Sequence, residues 1–206
     1  VFDSAIFLSD DHKHRYYVPV AFTGTIWHVN GETKLSRTLW PLPGGSGNYM
    51  SALLWILAKV QATDSVGEVV AAMMNHFVLT SAKAAKSYLR VGDALGLIEV
   101  TASSVYLTKA GAAYLKKPSS TALQAALRQN IQGCEELLAI LRKRPLRIGR
   151  LLEEMAKEGH GWTTDSQLRY RLRWLEEAGV VERRGKGRPE YRLVSLSGAA
   201  APLAID

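Results

Sequence analysis

One pattern occurs twice in this sequence, and it restricts the fold more than any other feature. Residues 88–99 read YLRVGDALGLIE and residues 171–182 read RLRWLEEAGVVE. In both, apolar residues at helical spacing run up to a glycine, Gly96 or Gly179, and two aliphatic residues follow it. Glycine suits a helix end because it enters the left-handed region without a Cβ penalty. Each copy therefore predicts a helix, a tight turn and a strand. Further helical segments precede each copy and a second short strand follows it. The order helix, helix, helix, strand, turn, strand is thus present twice. A repeat about as long as a small domain means two similar folding units.

Caps and periodicity place the boundaries. Asn48 is positioned to cap a helix from Tyr49 to about Ala62, Asp64 or Ser65 a second to about His76, and Thr80 or Ser81 a third to about Leu95. Residues 97–100 and 105–107 read as strands around the turn 101–104, and Thr108 opens another helix. In the second copy Ser119 or Ser120 caps a helix to about Gln132, and 135–142 continues or follows it. Residues 145–148 lead into a helix to about Glu158, which Gly159-His160-Gly161 ends. Thr163 or Thr164 caps a last helix through Glu177, and residues 180–182 and 191–194 flank the loop 183–189.

The start of the chain has a different character. Residues 15–22 and 23–29 are rich in aromatic and β-branched residues, and Asn30-Gly31 separates them from 32–39. Asn-Gly between such segments is a strong hairpin signal, since both residues tolerate positive φ. Pro19 puts the first segment at an edge or a break. The stretch PLPGGSG at 41–47 makes a linker or a sharp loop. The predicted organisation is a β-hairpin region and linker over 1–47, a first unit over 48–117, a second over 118–195 and a tail over 196–206. The fold class is α+β, mainly helical.

Composition narrows the function. Of 206 residues, 47% are apolar and 22% charged, which is ordinary for a globular chain. Lys and Arg outnumber Asp and Glu by 26 to 19. The positive excess is uneven: residues 1–48 net to zero, 49–117 to +3 and 118–193 to +5. A basic surplus in the repeat favours a polyanionic partner. The lone Cys134 excludes an internal disulfide framework and a cysteine-based zinc site, and fits a reducing compartment. No apolar run nears the roughly 20 residues that span a bilayer, and no secretory signal is present. The expected location is the cytoplasm, at the nucleoid. A chain starting at Val1 reads as processed, or as a piece of a longer protein.

The segment 168–182, LRYRLRWLEEAGVVE, resembles the recognition helix and first wing strand of winged helix-turn-helix DNA-binding proteins. In the first copy, Leu107-Thr-Lys-Ala-Gly111 is similar to the aliphatic-Thr-x-x-Gly that opens a helix after the second wing strand in that family. The resemblance covers about residues 49–194 and is specific for the fold, not for one member. It implies tandem winged-helix units behind the β-hairpin region. The last helix of each core would lie in the DNA major groove and the wing would follow the backbone.

Residue chemistry agrees with that implication. With Leu168, Leu172 and Leu175 inward, the outer face of the last helix carries Ser166, Gln167, Arg169, Tyr170 and Arg173. Gln and Arg match adenine and guanine edges, and Ser and Tyr bond phosphates. The loop offers Arg183, Arg184, Lys186 and Arg188 to the phosphate backbone, with Gly185 and Gly187 allowing close approach. Arg142, Lys143, Arg144 and Arg147 form another cluster, and Arg144, Arg147 and Thr164 complete the phosphate-contact set. In the first unit Lys83, Lys86, Ser87 and Arg90 are the base-reading candidates, beside an uncharged wing turn that suits a protein partner equally.

Catalytic patterns are weak. Asp10-Asp-His-Lys-His14 collects possible metal ligands without a spacing that fixes a site. Glu32 and Lys34, with Asp10 or Asp11, match a nuclease constellation, but at a hairpin tip where exposed charges are the simpler reading. His28, His76 and His160 lie far apart and form no nucleophile–base pair, and 43–47 lacks the Lys of a phosphate loop. The expected function is sequence-specific binding of double-stranded DNA, without a cofactor, metal or membrane. It would serve a transcription regulator, or the target-recognition part of a larger enzyme such as a restriction endonuclease, as a homodimer or within a larger parent protein. The rival readings are a winged-helix protein-interaction scaffold and a metal-dependent nuclease using the N-terminal carboxylates.

Overall fold

The computed structural model describes residues 28–29, 32–33, 35–162, 164–185 and 187–194. The chain divides into two compact units, 1–34 and 35–206. In the first, β1 (His28–Val29) pairs antiparallel with β2 (Glu32–Thr33), His28 opposite Thr33 and Val29 opposite Glu32. That register suits the two-residue Asn30-Gly31 connection. The strand expected at 15–22 lies outside the described residues, as do Asp10, Asp11, His12, His14 and Lys34.

The unit 35–206 holds both copies of the repeat. The first comprises α1 (Tyr49–Ala62), α2 (Val66–His76), α3 (Ala82–Ala94), β3 (Ile98–Val100) and β4 (Val105–Leu107). The second comprises α6 (Cys134–Lys143), β5 (Leu146–Arg147), α7 (Ile148–Lys157), α8 (Ser166–Glu177), β6 (Val181–Arg184) and β7 (Glu190–Leu193). Between them lie α4 (Lys109–Lys116) and α5 (Ser120–Asn130), which have no counterpart in the repeat. The second sheet runs β5-β7-β6. The first reproduces that order with a single bridge, Ser65 to Ser104, beside the β3–β4 hairpin. Each copy is therefore three helices with a small antiparallel wing.

Several boundaries follow from local chemistry. The Ser65 hydroxyl accepts the Glu68 N–H, and the Ser119 hydroxyl the Ala122 N–H, so each caps its helix. Asn48 makes no such bond; its amide turns back to the Gly44 carbonyl at 2.9 Å. The cap expected at Thr163 or Thr164 is instead Asp165, whose carboxylate pairs with Arg169 at 2.6 Å. Gly96 and Gly179, at φ 72° and 68°, end the two third helices. The Leu107–Gly111 motif has a physical basis. The Thr108 hydroxyl accepts the Gly111 N–H at 3.0 Å and donates to the Gly96 carbonyl at 2.7 Å. A Cβ on Gly111 would lie 1.8 Å from the Leu97 carbonyl oxygen, so only glycine lets α4 start against the wing.

The second strand expected over 32–39 ends at Thr33. Residues 35–42 instead run over the second copy: Ser36 bridges Ile131, and Leu39 and Leu42 are buried. Side chains of α8 take the carbonyls of this segment. Arg171 donates to Arg37 O at 2.8 Å, and Trp174 Nε1 to Trp40 O at 2.9 Å. Arg171 and Trp174 are both fully buried. One continuous core joins the copies, from Leu53 and Ile56 through Tyr49 and Trp174 to Leu168 and Leu172. Among the described residues no helix is long and apolar enough to cross a membrane.

Candidate nucleic-acid interface

The third helix of each copy packs one face and leaves the other to solvent. In α3 the inward face is Ala85, Leu89 and Gly92, and Gly92 lets Ile98 close in on the helix. The outward stripe is Lys83, Lys86, Ser87 and Arg90, spaced i, i+3, i+4 and i+7. With Ala82 these four line one surface concavity. The Ser87 hydroxyl is bonded to the Lys83 carbonyl at 3.0 Å. Lys83, Lys86 and Arg90 have no ion-pair partner among the described residues, although Asp93 lies within Coulombic reach of Arg90.

In α8 the inward face is Leu168, Arg171, Leu172, Trp174 and Leu175. Of the expected outer residues, Arg169 and Arg173 are exposed, and Ser166, Gln167 and Tyr170 are half-buried. Gln167 is engaged inward: its Oε1 accepts from Arg171 at 2.9 Å and from the Leu39 N–H at 3.3 Å. That corrects the expectation that Gln167 points outward from the helix. Tyr170 lies against Trp40, ring centroids 6.0 Å apart. Arg173 neighbours the buried Tyr49 hydroxyl; burial raises the Tyr49 pKa and Arg173 draws it back.

Arg171, which drew no notice in the sequence, is the structural arginine of the helix. Its guanidinium donates to Gln132 O at 2.8 Å, Gln167 O at 2.9 Å and Arg37 O at 2.8 Å, and lies 4.6 Å from the Trp162 ring centroid. Burial lowers its pKa, while Cys134 and Glu136 act in the opposite sense. Three carbonyls and an aromatic face solvate a charge that would otherwise be prohibitive to bury. An arginine among other arginines gives no sequence signal of this. Only its place on the inward stripe, between Leu168 and Leu175, separates it from Arg169 and Arg173.

The wing differs from expectation in one respect. Arg183 and Arg184 belong to β6, opposite Tyr191 and Glu190, so the loop shortens to 185–189. Arg183 remains beside α8: its Nε lies 4.0 Å from Glu176 Oε1, a carboxyl whose pKa burial raises against the pull of Arg183 and Arg173. Arg184 pairs with Glu182 at 3.4 Å, Arg147 with Glu190 at 3.4 Å, and Arg144 with Glu154 at 3.9 Å. Arg188 and Thr164 are exposed, and Lys186 lies outside the described residues. Arg142 and Lys143 are exposed at the end of α6. The cationic candidates of the second copy are therefore partly offset by carboxylates, whereas those on α3 have no ion-pair partner among the described residues.

No curated protein and no solved structure matches the chain. A family match covers residues 58–192, from within α1 to β7, and so takes in both copies of the repeat. With two three-helix units, each bearing a wing, over that same stretch, the chain belongs to the family described as the halobacterial double winged helix domain.

Proposed function

We propose that this chain is a sequence-specific duplex-DNA-binding module, serving a transcription regulator or the target-recognition part of a larger DNA-processing enzyme. The observation that carries this reading is the stripe of Lys83, Lys86, Ser87 and Arg90 on the open side of α3. It presents three cations on one face of the helix that, in helix-turn-helix folds, enters the major groove. Arg169 and Arg173 give α8 a matching pair, and Arg183, Arg184 and Arg188 supply phosphate contacts from the wing. Gln167 contributes through Arg171 to the shape of the site rather than as a reader.

The test is fluorescence anisotropy with a random duplex library, followed by selection of the bound sequences. Affinity falls steeply with salt. The Lys83→Ala/Lys86→Ala variant lowers the slope of log K against log salt by about 2, at roughly 0.9 per lost phosphate contact. If the lysines face bases instead, the slope holds and the selected consensus changes. A wild-type chain without salt-dependent duplex binding refutes the reading.

A protein-interaction scaffold has one observation in its favour. Trp40 is 44% exposed beside Tyr170, an aromatic surface where segment 35–42 crosses α8, whose Arg169 is charge-paired with Asp165. Trp40→Ala leaves duplex affinity unchanged if that surface meets a protein, and weakens it if the surface meets DNA.

A further inference from the structure

Helix α5 is not part of the repeat, yet it touches the same point in both copies. The Asn130 Nδ2 donates to the Leu95 carbonyl at 3.0 Å, and the Gln124 Nε2 donates to the Ala178 carbonyl at 2.8 Å. Leu95 and Ala178 are the C-caps of α3 and α8. Each directly precedes the left-handed glycine that ends its helix, Gly96 or Gly179. The last carbonyls of a helix have no partner within it. One intervening helix therefore fills the same vacancy on both candidate reading helices, with one amide each.

The surrounding contacts stiffen this arrangement. The Asn130 amide also bonds the Ala126 carbonyl of its own helix at 3.0 Å, which fixes its aim. It packs so closely on the α3 turn that a Cβ on Gly96 would lie 3.2 Å from it. Just past the end of α5, the Gln132 carbonyl accepts from Arg171 of α8 at 2.8 Å. Leu123 and Leu127, on the same face of α5 as Asn130, are fully buried and seat the helix. A flexible connection between two independent units needs none of these bonds.

We propose that α5 is a strut that sets the distance and angle between the two reading helices, with Gln124 and Asn130 as positioning residues. The ligand it implies is a bipartite duplex site with one permitted spacing between its halves. This rests on the DNA-binding reading above and adds to it that the two units engage one target together.

The experiment uses the full chain and the site recovered by selection, with one to ten base pairs inserted between its halves. Wild-type affinity is expected to fall at least tenfold on insertion of two base pairs, and to stay low at ten. An insertion of ten restores helical phase but not distance, so a flexible tether would recover there and a strut does not. In the Gln124→Glu/Asn130→Asp variant each amide donor becomes an acceptor of the same size. It should bind the parent site more weakly but vary less than threefold across the series, with affinity for an isolated half-site unchanged. Circular dichroism checks that it is folded. Gln124→Ala, a single change at a half-buried position, is the second variant and should flatten the series in part. Spacing dependence in both variants equal to that of the wild type overturns the strut. So does wild-type binding that ignores spacing. Failure of the wild type to bind any duplex instead removes the DNA reading itself, and the strut's proposed ligand with it.

Discussion

Val78 is the one non-glycine residue at positive φ among the described residues, at 52°, and it is 85% exposed. It follows the end of α2, and the Leu79 N–H returns to the Met74 carbonyl at 2.9 Å. The second copy makes the same turn after α7, where the His160 N–H returns to the Met155 carbonyl at 3.0 Å, but there the left-handed residue is Gly159. The repeat supplies its own control. A β-branched residue in the left-handed region costs about 1–2 kcal/mol, and an exposed Val returns little by packing. Val78→Gly is expected to raise stability by about 0.5–1 kcal/mol in urea titration, after allowing for glycine's greater unfolded-state entropy. The opposite sign belongs to Gly111→Ala, where backbone must move to admit a methyl group; a loss of about 3 kcal/mol or more is expected in the same assay. Cys134 is fully buried and burial pushes its thiol up to about 12. The thiolate is the reactive form. Alkylation at neutral pH should therefore be slow in the native chain and rapid in denaturant.

At the scale of elements, α8 is held from behind by polar bonds as much as by its leucines. Arg171→Met keeps the length of the side chain but strands the Gln132 and Arg37 carbonyls. A loss of about 3 kcal/mol is expected, with early hydrogen-exchange opening of residues 35–40. The start of the same helix carries an exposed pair, Asp165 with Arg169. The arginine's hydrogen bond holds the Asp165 carboxyl below its usual range. The pair thus favours the fold above the ordinary carboxylate pKa and ceases to as pH falls through the depressed value. Asp165→Asn should remove that acid limb. It should also strengthen duplex binding a few-fold at low salt, about 0.2–1 kcal/mol, by releasing Arg169 to the phosphates. The helix starts themselves were legible wherever a serine hydroxyl caps, as at Ser65 and Ser119. They were not legible at α8, where the capping position falls to Asp165 and its side chain serves an ion pair instead.

Over the whole molecule, the two copies share one core, and segment 35–42 and α5 knit them together. Heating should unfold residues 35–194 in a single transition, with calorimetric and van't Hoff enthalpies in agreement. The Gln124→Glu/Asn130→Asp variant should broaden that transition. The charge distribution has a counterpart in binding: the surplus read from the sequence is largest in the second copy, yet carboxylates lie beside many of its arginines. The α3 lysines carry less charge in total, but among the described residues no carboxylate pairs with them. Net charge by segment therefore ranks the two surfaces in one order and local pairing in the other.

The amino-acid sequence alone determined the repeat, the three-helix-and-wing order, the glycine helix ends and the Asn-Gly hairpin, because each depends on periodicity or on backbone preferences within a few residues. Tertiary structure decided what depends on distant partners. Gln167 turns inward because Arg171 and Leu39 meet it there, and residues 35–42 leave the strand pattern because α8 offers donors to their carbonyls. Helix α5 acquires its place because two helix ends, 83 residues apart in the chain at Leu95 and Ala178, each need a donor that it can supply.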